Sequence, residues 1–257
     1  MKVGILIAVR MKSTRLPKKA TRVVSGKTII EHLIERVKNC KRVDEIILCT
    51  STHPDDSILV EIAQKNGIKW FRGDEDDVLK RFIDAAERFG LDIVVRVTGD
   101  NPLTDPEYID KIVEKQMESG AEYVYIEGLP AGTKAEVMTL EALKKARRLA
   151  ENPEMSEYMT LYFRDSGLFK VEKVVADKEV YRPEYRLTVD TEEDLDVIRE
   201  IYEKLYKGGY FPLIEVIKFL DSNPGVVRRN INVKKRSIFL RVGEGGRMYI
   251  GEKNGEG

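Results

Sequence analysis

Residues 10–19 read Arg10-Met11-Lys12-Ser13-Thr14-Arg15-Leu16-Pro17-Lys18-Lys19, five cations in ten positions with hydroxyls at Ser13 and Thr14. Guanidinium forks grip phosphate oxygens two at a time and ammonium groups add point charge, so this density suits a triphosphate. The segment is neither GxxxxGK[ST] nor GxGxxG, which argues against a Walker NTPase or a dinucleotide site. A solvated basic loop is the plainer alternative. Two acids stand apart from their neighbours: Asp100 in Arg96-Val97-Thr98-Gly99-Asp100-Asn101-Pro102-Leu103, and Asp190 in Arg186-Leu187-Thr188-Val189-Asp190-Thr191-Glu192-Glu193-Asp194-Leu195. A carboxylate at a strand end, next to a glycine and braced by a proline, suits a hard cation such as Mg²⁺, although turn and cap roles are equally open to it. Thr191 and Asp194 have helix-cap spacing. That cap does not account for Asp190.

Short apolar runs alternating with helical periods must position these residues. Residues 3–9 have no polar alternation and predict a fully buried strand. Thr28 caps a helix carrying Ile29, Ile30, Leu33, Ile34 and Val37, with Glu31 placed for a capping box. Strands follow at 45–50, 68–71 and 93–98. Helices are expected at 55–66 (Ile58, Leu59, Ile62 and Ala63 inward), 76–89 and 106–119. This order calls for a mostly parallel sheet with helices on both faces. Further strands are expected at 123–126, 169–176 and 186–189, and helices at 140–150, 157–165, 192–206 and 211–220, the last closed by Asn223-Pro224-Gly225. If 93–98 and 186–189 are parallel strands, Asp100 and Asp190 emerge at one edge beside residues 10–19, within about 10 Å of each other. Two carboxylates that close, without a metal, would push one pKa up.

The chain has 257 residues, enough to bury a sizeable core, and 44 basic residues against 44 acidic ones. That balance argues against a general nucleic-acid coat or a polybasic membrane binder. At 34% charged and 42% hydrophobic the composition is globular. Cys40 and Cys49 supply no disulfide framework and no metal quartet; Cys49, in an apolar run, reads as a buried hydrophobe. No apolar run is long enough to span a bilayer, and a cytoplasmic location is expected. From residue 226 onward there are eight basic residues against three acidic, and Ile238, Leu240 and Val242 alternate before Gly243-Glu244-Gly245-Gly246, with Met248 and Ile250 after it. This predicts a hairpin. The expected division is 1–222 for the main domain and 223–257 for a basic tail.

Four motifs occur in order: Arg10 to Lys19, Phe71-Arg72-Gly73 followed by Asp77-Val78-Leu79 and Arg81, Arg96 to Leu103, and Arg186 to Leu195. Together they resemble spore coat polysaccharide biosynthesis F-type proteins. These belong to the cytidylyltransferase family, which includes synthetases of CMP-linked sialic and 3-deoxy-octulosonic acids. The resemblance covers residues 1–206 and implies a glycosyltransferase-A-like nucleotide-diphospho-sugar transferase fold. It implies transfer of CMP from CTP to a sugar acid or similar acceptor, with release of pyrophosphate. Carried over by position, Arg10, Ser13, Arg15 and Lys19 match the triphosphate loop, Arg72 and Gly73 belong to the nucleotide side, and Asp100 and Asp190 match Mg²⁺-facing aspartates. Arg15, Lys19, Asp100 and Asp190 are then the catalytic set. The expected partners are CTP and a small-molecule acceptor, with no nucleic acid and no membrane; a homodimer is compatible with these features. The chain departs from the family pattern at Lys18, where a glycine is usual, at Lys134, where an acid is usual, and at Tyr158, where a histidine is usual. Lys134 and Tyr158 fall where the resemblance places the acceptor, and they suit an anionic acceptor or a binding-only homologue. Asp74-Glu75-Asp76-Asp77 contains the Asp-x-Asp of metal-dependent glycosyltransferases, a rival reading; at the head of a helix pattern, acids also suit the helix dipole.

Overall fold

Strand β1 (Val3–Ala8) carries no side chain larger than isoleucine and is buried along nearly its whole length. The computed structural model places it in the interior of a seven-stranded sheet and describes residues 1–13, 15–234 and 236–252. Thr14, Lys235, Lys253 and Glu256 of the sequence reading lie outside the described residues. A two-residue ribbon, β2 (Val23–Val24) and β3 (Lys27–Thr28), leads into α1 (Ile29–Val37). There Thr28 and Glu31 form the expected capping box. The side chains of Ile29, Ile30, Leu33, Ile34 and Val37 are fully buried, each contributing at most about 1.5–3 kcal/mol by transfer from water.

The chain continues through β4 (Glu45–Ser51), α2 (Ser57–Lys65), β5 (Lys69–Gly73), α3 (Val78–Phe89), β6 (Ile93–Thr98), α4 (Pro106–Ser119), β7 (Tyr123–Glu127), β8 (Glu136–Thr139), α5 (Leu140–Leu149), α6 (Thr160–Arg164) and β9 (Val171–Val175). After these come α7 (Glu192–Leu205), α8 (Leu213–Ser222), the single turn α9 (Pro224–Val227), and the hairpin β10 (Ile238–Val242) with β11 (Met248–Glu252). The sheet order is β5-β4-β1-β6-β8-β7-β9. Only β8 runs against its neighbours, so the mostly parallel α/β reading holds.

Alternation along the strands divides the core. Val3, Ile5 and Ile7 of β1 and Ile93, Val95 and Val97 of β6 face one layer, formed by α1, α2, α4, α7, α8 and α9. Leu6 and Val94 face the other, formed by α3, α5, α6 and the hairpin. Met248 and Ile250 are fully buried there, and Asn152 ties the hairpin down through its Nδ2 to the Ile250 carbonyl at 2.6 Å. The tail therefore packs on its own chain. Among the described residues, no helix is long and apolar enough to cross a membrane.

Several expectations need correction. Residues 186–189 are not a strand of the sheet; the stretch is extended but pairs only through one bridge, Arg186 with Ala131. Strand β8 was not expected: it is four residues long and follows a Gly/Pro-containing loop, leaving no run to read. Ile58 points outward, 40% exposed, because the helix expected from residue 55 starts with a 3₁₀ turn over Pro54–Asp56. The 157–165 helix is split into the 3₁₀ turn Pro153–Tyr158 and α6. Pro224 opens α9 rather than closing α8, since proline is well tolerated in a first helical turn.

Candidate active site

In sequence, β1 leads through α1 to β4 on one side and α3 returns the chain to β6 on the other. The carboxyl ends of β1 and β6 therefore flank a topological switch point, where open α/β sheets bind ligands. The loops after both strands are pressed together. The Gly99 N–H donates to the Ala8 carbonyl at 2.9 Å, and a Cβ on Gly99 would stand 2.6 Å from the Val9 side chain. Glycine is what this approach requires, and it sets Asp100 at the crevice.

Asp190 arrives by another route than the parallel strand expected. The Leu187 N–H donates to the Ala131 carbonyl at 2.7 Å, the Ala131 N–H to the Tyr185 carbonyl at 3.0 Å, and the Val189 N–H to the Asp100 carbonyl at 2.9 Å. Gly132, at φ +92°, lets this hanging segment lie against its loop; a Cβ there would be 2.3 Å from the Thr188 nitrogen. Arg186, only 8% exposed, then fixes the acids. Its Nη2 donates to Asp190 Oδ2 at 2.9 Å, while its Nε and Nη2 fork onto Asp194 at 2.8 and 2.9 Å. Thr191 and Asp194 form the expected cap of α7.

Lys19 joins the two aspartates. Its Nζ donates to Asp100 Oδ2 at 2.5 Å and to Asp190 Oδ1 at 2.8 Å, so both carboxylates lie within the span of one ammonium group. Arg15 Nη2 adds an ion pair to Asp190 Oδ1 at 3.0 Å. All four expected catalytic residues are thus brought together. Burial works against the Lys19 ammonium, but Asp100 and Asp190 outweigh it and hold its pKa above the ordinary value. Burial likewise opposes the Asp190 carboxylate, yet Lys19, Arg15 and Arg186 hold its pKa below the usual carboxylate range. The expected upward shift from carboxylate repulsion is therefore corrected for Asp190: a cation already stands between the acids.

The remaining expected residues are spread along the same edge. Arg10 is held by acids at the head of α3 and by Glu157: its Nη1 donates to the Glu75 carbonyl and to Asp76 Oδ1, both at 3.1 Å, and its Nη2 lies 3.6 Å from Glu157. Ser13 is half-buried in the loop. Arg72 is spent on the end of β4, donating to the Ser51 carbonyl at 3.0 Å and the His53 carbonyl at 2.8 Å. Gly73 ends β5 against Phe71 and Arg81. Lys18 adopts the left-handed conformation, φ 55°, the physical reason a glycine suits that position. The acidic run lies at the head of α3, where acids suit the helix dipole, and it also caps the helix: Asp74 accepts from the Asp76 and Asp77 N–H groups and Asp77 from the Lys80 N–H.

Sequence reasoning missed two supports. Asp56 accepts from the Met11 N–H at 2.7 Å and from Thr50, Ser51 and the Ser51 N–H, fixing the start of the basic loop to β4. Its polar neighbours made it look like an ordinary helix-start acid. Arg186 was visible in its motif but was assigned no role. Beside β7 and β8, Lys134, Tyr125, Glu136, Thr160, Arg164 and Tyr181 line a cavity of about 270 Å³, and the Tyr123 hydroxyl is buried at its wall with no hydrogen-bond partner among the described residues. Tyr158 accepts a hydrogen bond from Arg236 at 3.1 Å.

Two carboxylates sharing one cation are an all-oxygen donor set of the kind a hard divalent ion takes. The residues fit a hard divalent cation, with the Lys19 ammonium standing where positive charge is wanted.

Residues 4–211 match the profile of the cytidylyltransferase family. The spore coat polysaccharide biosynthesis protein SpsF of Bacillus subtilis strain 168 is 34% identical over 225 residues, 85% of this chain and 94% of that one. A cytidylyltransferase structure from Leptospira borgpetersenii superposes with a TM-score of 0.83 at 31% identity, covering 91% of this chain and 99% of its own. A CMP:2-keto-3-deoxy-manno-octonic acid synthetase complexed with CTP shares the fold, with a TM-score of 0.61 at 18% identity over 79% of this chain and 99% of that one. The glycosyltransferase-A-like nucleotide-diphospho-sugar transferase fold expected from the motifs is the fold observed.

Proposed function

This chain belongs to the cytidylyltransferase family, and from that premise we propose that it transfers CMP from CTP to a sugar acid or similar small acceptor, releasing pyrophosphate, in surface polysaccharide or glycoconjugate biosynthesis. The observation that carries the reading is the single ammonium of Lys19 bridging Asp100 and Asp190, beside Arg15 and at the switch point of the sheet. Phosphoryl transfer rests on alignment and charge neutralisation, and it needs no covalent residue. An acceptor hydroxyl oxygen bonds to the α-phosphorus as its proton passes to water, the bond to the bridging oxygen breaks, and pyrophosphate leaves with that electron pair. Arg15 and Lys19, with Arg10 and Ser13 along the loop, hold the departing oxygens and neutralise their growing charge. Asp100 and Asp190 would hold Mg²⁺, which supplies positive charge to the α-phosphate when bound. Lys19 exchanges its carboxylates for phosphate as the nucleotide arrives. The cavity beside β7 and β8, lined by both cations and acids, accommodates the acceptor. The reaction belongs in the cytoplasm, where CTP is available.

A thermal-shift panel of the four nucleoside triphosphates with Mg²⁺ tests this directly, since a ligand that binds only the folded form raises stability by mass action. CTP should raise the melting temperature most. Equal shifts from all four, or none, would overturn the assignment.

A further inference from the structure

The chain beyond residue 211 lies outside the matched family region, and it changes sides of the sheet. Helices α8 and α9 pack in the layer of α1 and α7, whereas the β10–β11 hairpin packs in the layer of α3 and α5. The chain therefore changes faces between α9 and β10. Both ends of the crossing are fastened at the carboxyl edge of the strands. Asn230, 2% exposed, donates from Nδ2 to the Arg186 carbonyl and to Asp194 Oδ1, both at 2.9 Å, directly behind Asp190. Arg236 donates from Nη1 to the Tyr158 hydroxyl at 3.1 Å and lies 3.9 Å from Glu157. Glu157 is also the carboxylate that Arg10 faces at 3.6 Å, and its carbonyl accepts from Arg96 Nη2 at 3.0 Å.

Guanidinium groups from the end of β1, from β6 and from the crossing segment thus converge on one acidic residue. One exposed carboxylate meets Arg10 and Arg236 at loose ion-pair distances, and such a contact is worth little in water. A triphosphate carries several times that charge and binds guanidinium bidentately.

On the nucleotide reading above, we propose that residues 231–234 and Arg236 form a strap across the mouth of the site, and that Arg236 is a further nucleotide-binding residue acting on the phosphates beside Arg10. Glu157 is the internal anion that the triphosphate displaces. The strap completes the phosphate field, and it covers the nucleotide from the side the sheet leaves open.

Calorimetric titration with CTP and Mg²⁺, repeated with inorganic tripolyphosphate, tests the proposal. Arg236→Ala should weaken both ligands by roughly 5- to 20-fold, the loss of one charge-assisted contact, with an unchanged melting temperature in the absence of ligand. Arg236→Lys should recover part of the loss. Glu157→Gln, which removes the competing anion, should tighten both by about 2- to 5-fold by the same arithmetic, a gain no purely structural role predicts. CTP should also slow amide exchange from Ile231 to Lys234. CTP affinity within about twofold of the parent in both Arg236→Ala and Glu157→Gln, together with unprotected strap amides and a protected basic loop, would overturn the strap. A folded parent that binds no CTP would overturn the nucleotide reading, and the strap with it.

Discussion

Lys19 carries the most consequence of any single residue in the site. Its ammonium is the partner of two carboxylates, so its removal does two things at once. Lys19→Met and Arg15→Ala should each weaken CTP binding by about 1.5–3 kcal/mol, the scale of a charge-assisted contact. The two variants should separate in stability. Arg15 is more exposed than Lys19 and its loss should scarcely change melting. Lys19→Met takes the ammonium away from part-buried Asp100 and leaves Asp190 to Arg15 and Arg186, and should lower the melting temperature near neutral pH. The pH dependence follows from the shifted groups. Asp190 has its folded pKa depressed, so its contribution is present above its unfolded pKa and is lost as pH falls through the folded value. Lys19 has its folded pKa raised, so its contribution is present below its unfolded pKa and is lost as pH rises through the folded value. In Lys19→Met the acid limb should flatten, because Asp190 then keeps only Arg15 and Arg186 to hold its pKa down. Melting curves from about pH 3 to pH 7, bracketing the ordinary carboxylate range, read this out. An acid limb identical to the parent's would contradict the assigned coupling. The individual identities were readable: basic loop, strand-end acid and Asp190 each stood out by type and place. The bridge was not, because Lys19 and Asp190 are 171 residues apart and no spacing rule reports such a meeting.

Elements deliver these residues less regularly than alternation suggests. Leu187 and Val189 are buried, and their period-2 pattern is real, but their hydrogen bonds go to a loop and to the Asp100 carbonyl rather than to a strand. A half-buried extended segment and a strand leave the same trace in one sequence. The correct meeting of Asp100 and Asp190 was therefore reached through a wrong intermediate, that both follow strands of the sheet. The actual support makes Gly132 a vulnerable point. Gly132→Ala combines a left-handed φ with a Cβ 2.3 Å from backbone, and should cost about 1–3 kcal/mol of stability. It should also lower turnover more than it lowers CTP affinity, since it displaces Asp190 and leaves Arg10, Ser13 and Arg15 in place. Urea denaturation and steady-state kinetics on one preparation measure both. Parent-like kinetics in a destabilised variant would show that the Gly132 contact serves folding alone.

At the scale of the molecule, strand order explains why the site lies where it does. β1 pairs with β4 on one side and β6 on the other, and the loops leaving β1 and β6, joined at Ala8 and Gly99, set the basic loop beside Asp100. The β/α alternation to residue 119 and the tail hairpin were legible because each buried element carries an unbroken periodic signal. The antiparallel β8 and the crossing strap were not, because four residues in one case and an irregular polar stretch in the other have no period to detect. The central claim is that the two aspartates and the basic loop together move CMP onto an acceptor. The most direct measurement follows α-phosphate label from CTP, with Mg²⁺ and a panel of sugar acids, in the parent, Asp100→Asn and Asp190→Asn. Both substitutions keep shape and remove charge, and the fold should survive each. The account predicts label in a CMP-linked product and one pyrophosphate per turnover in the parent, with most of that turnover lost in both variants. Release of a nucleoside diphosphate, or full turnover in either variant, would contradict it.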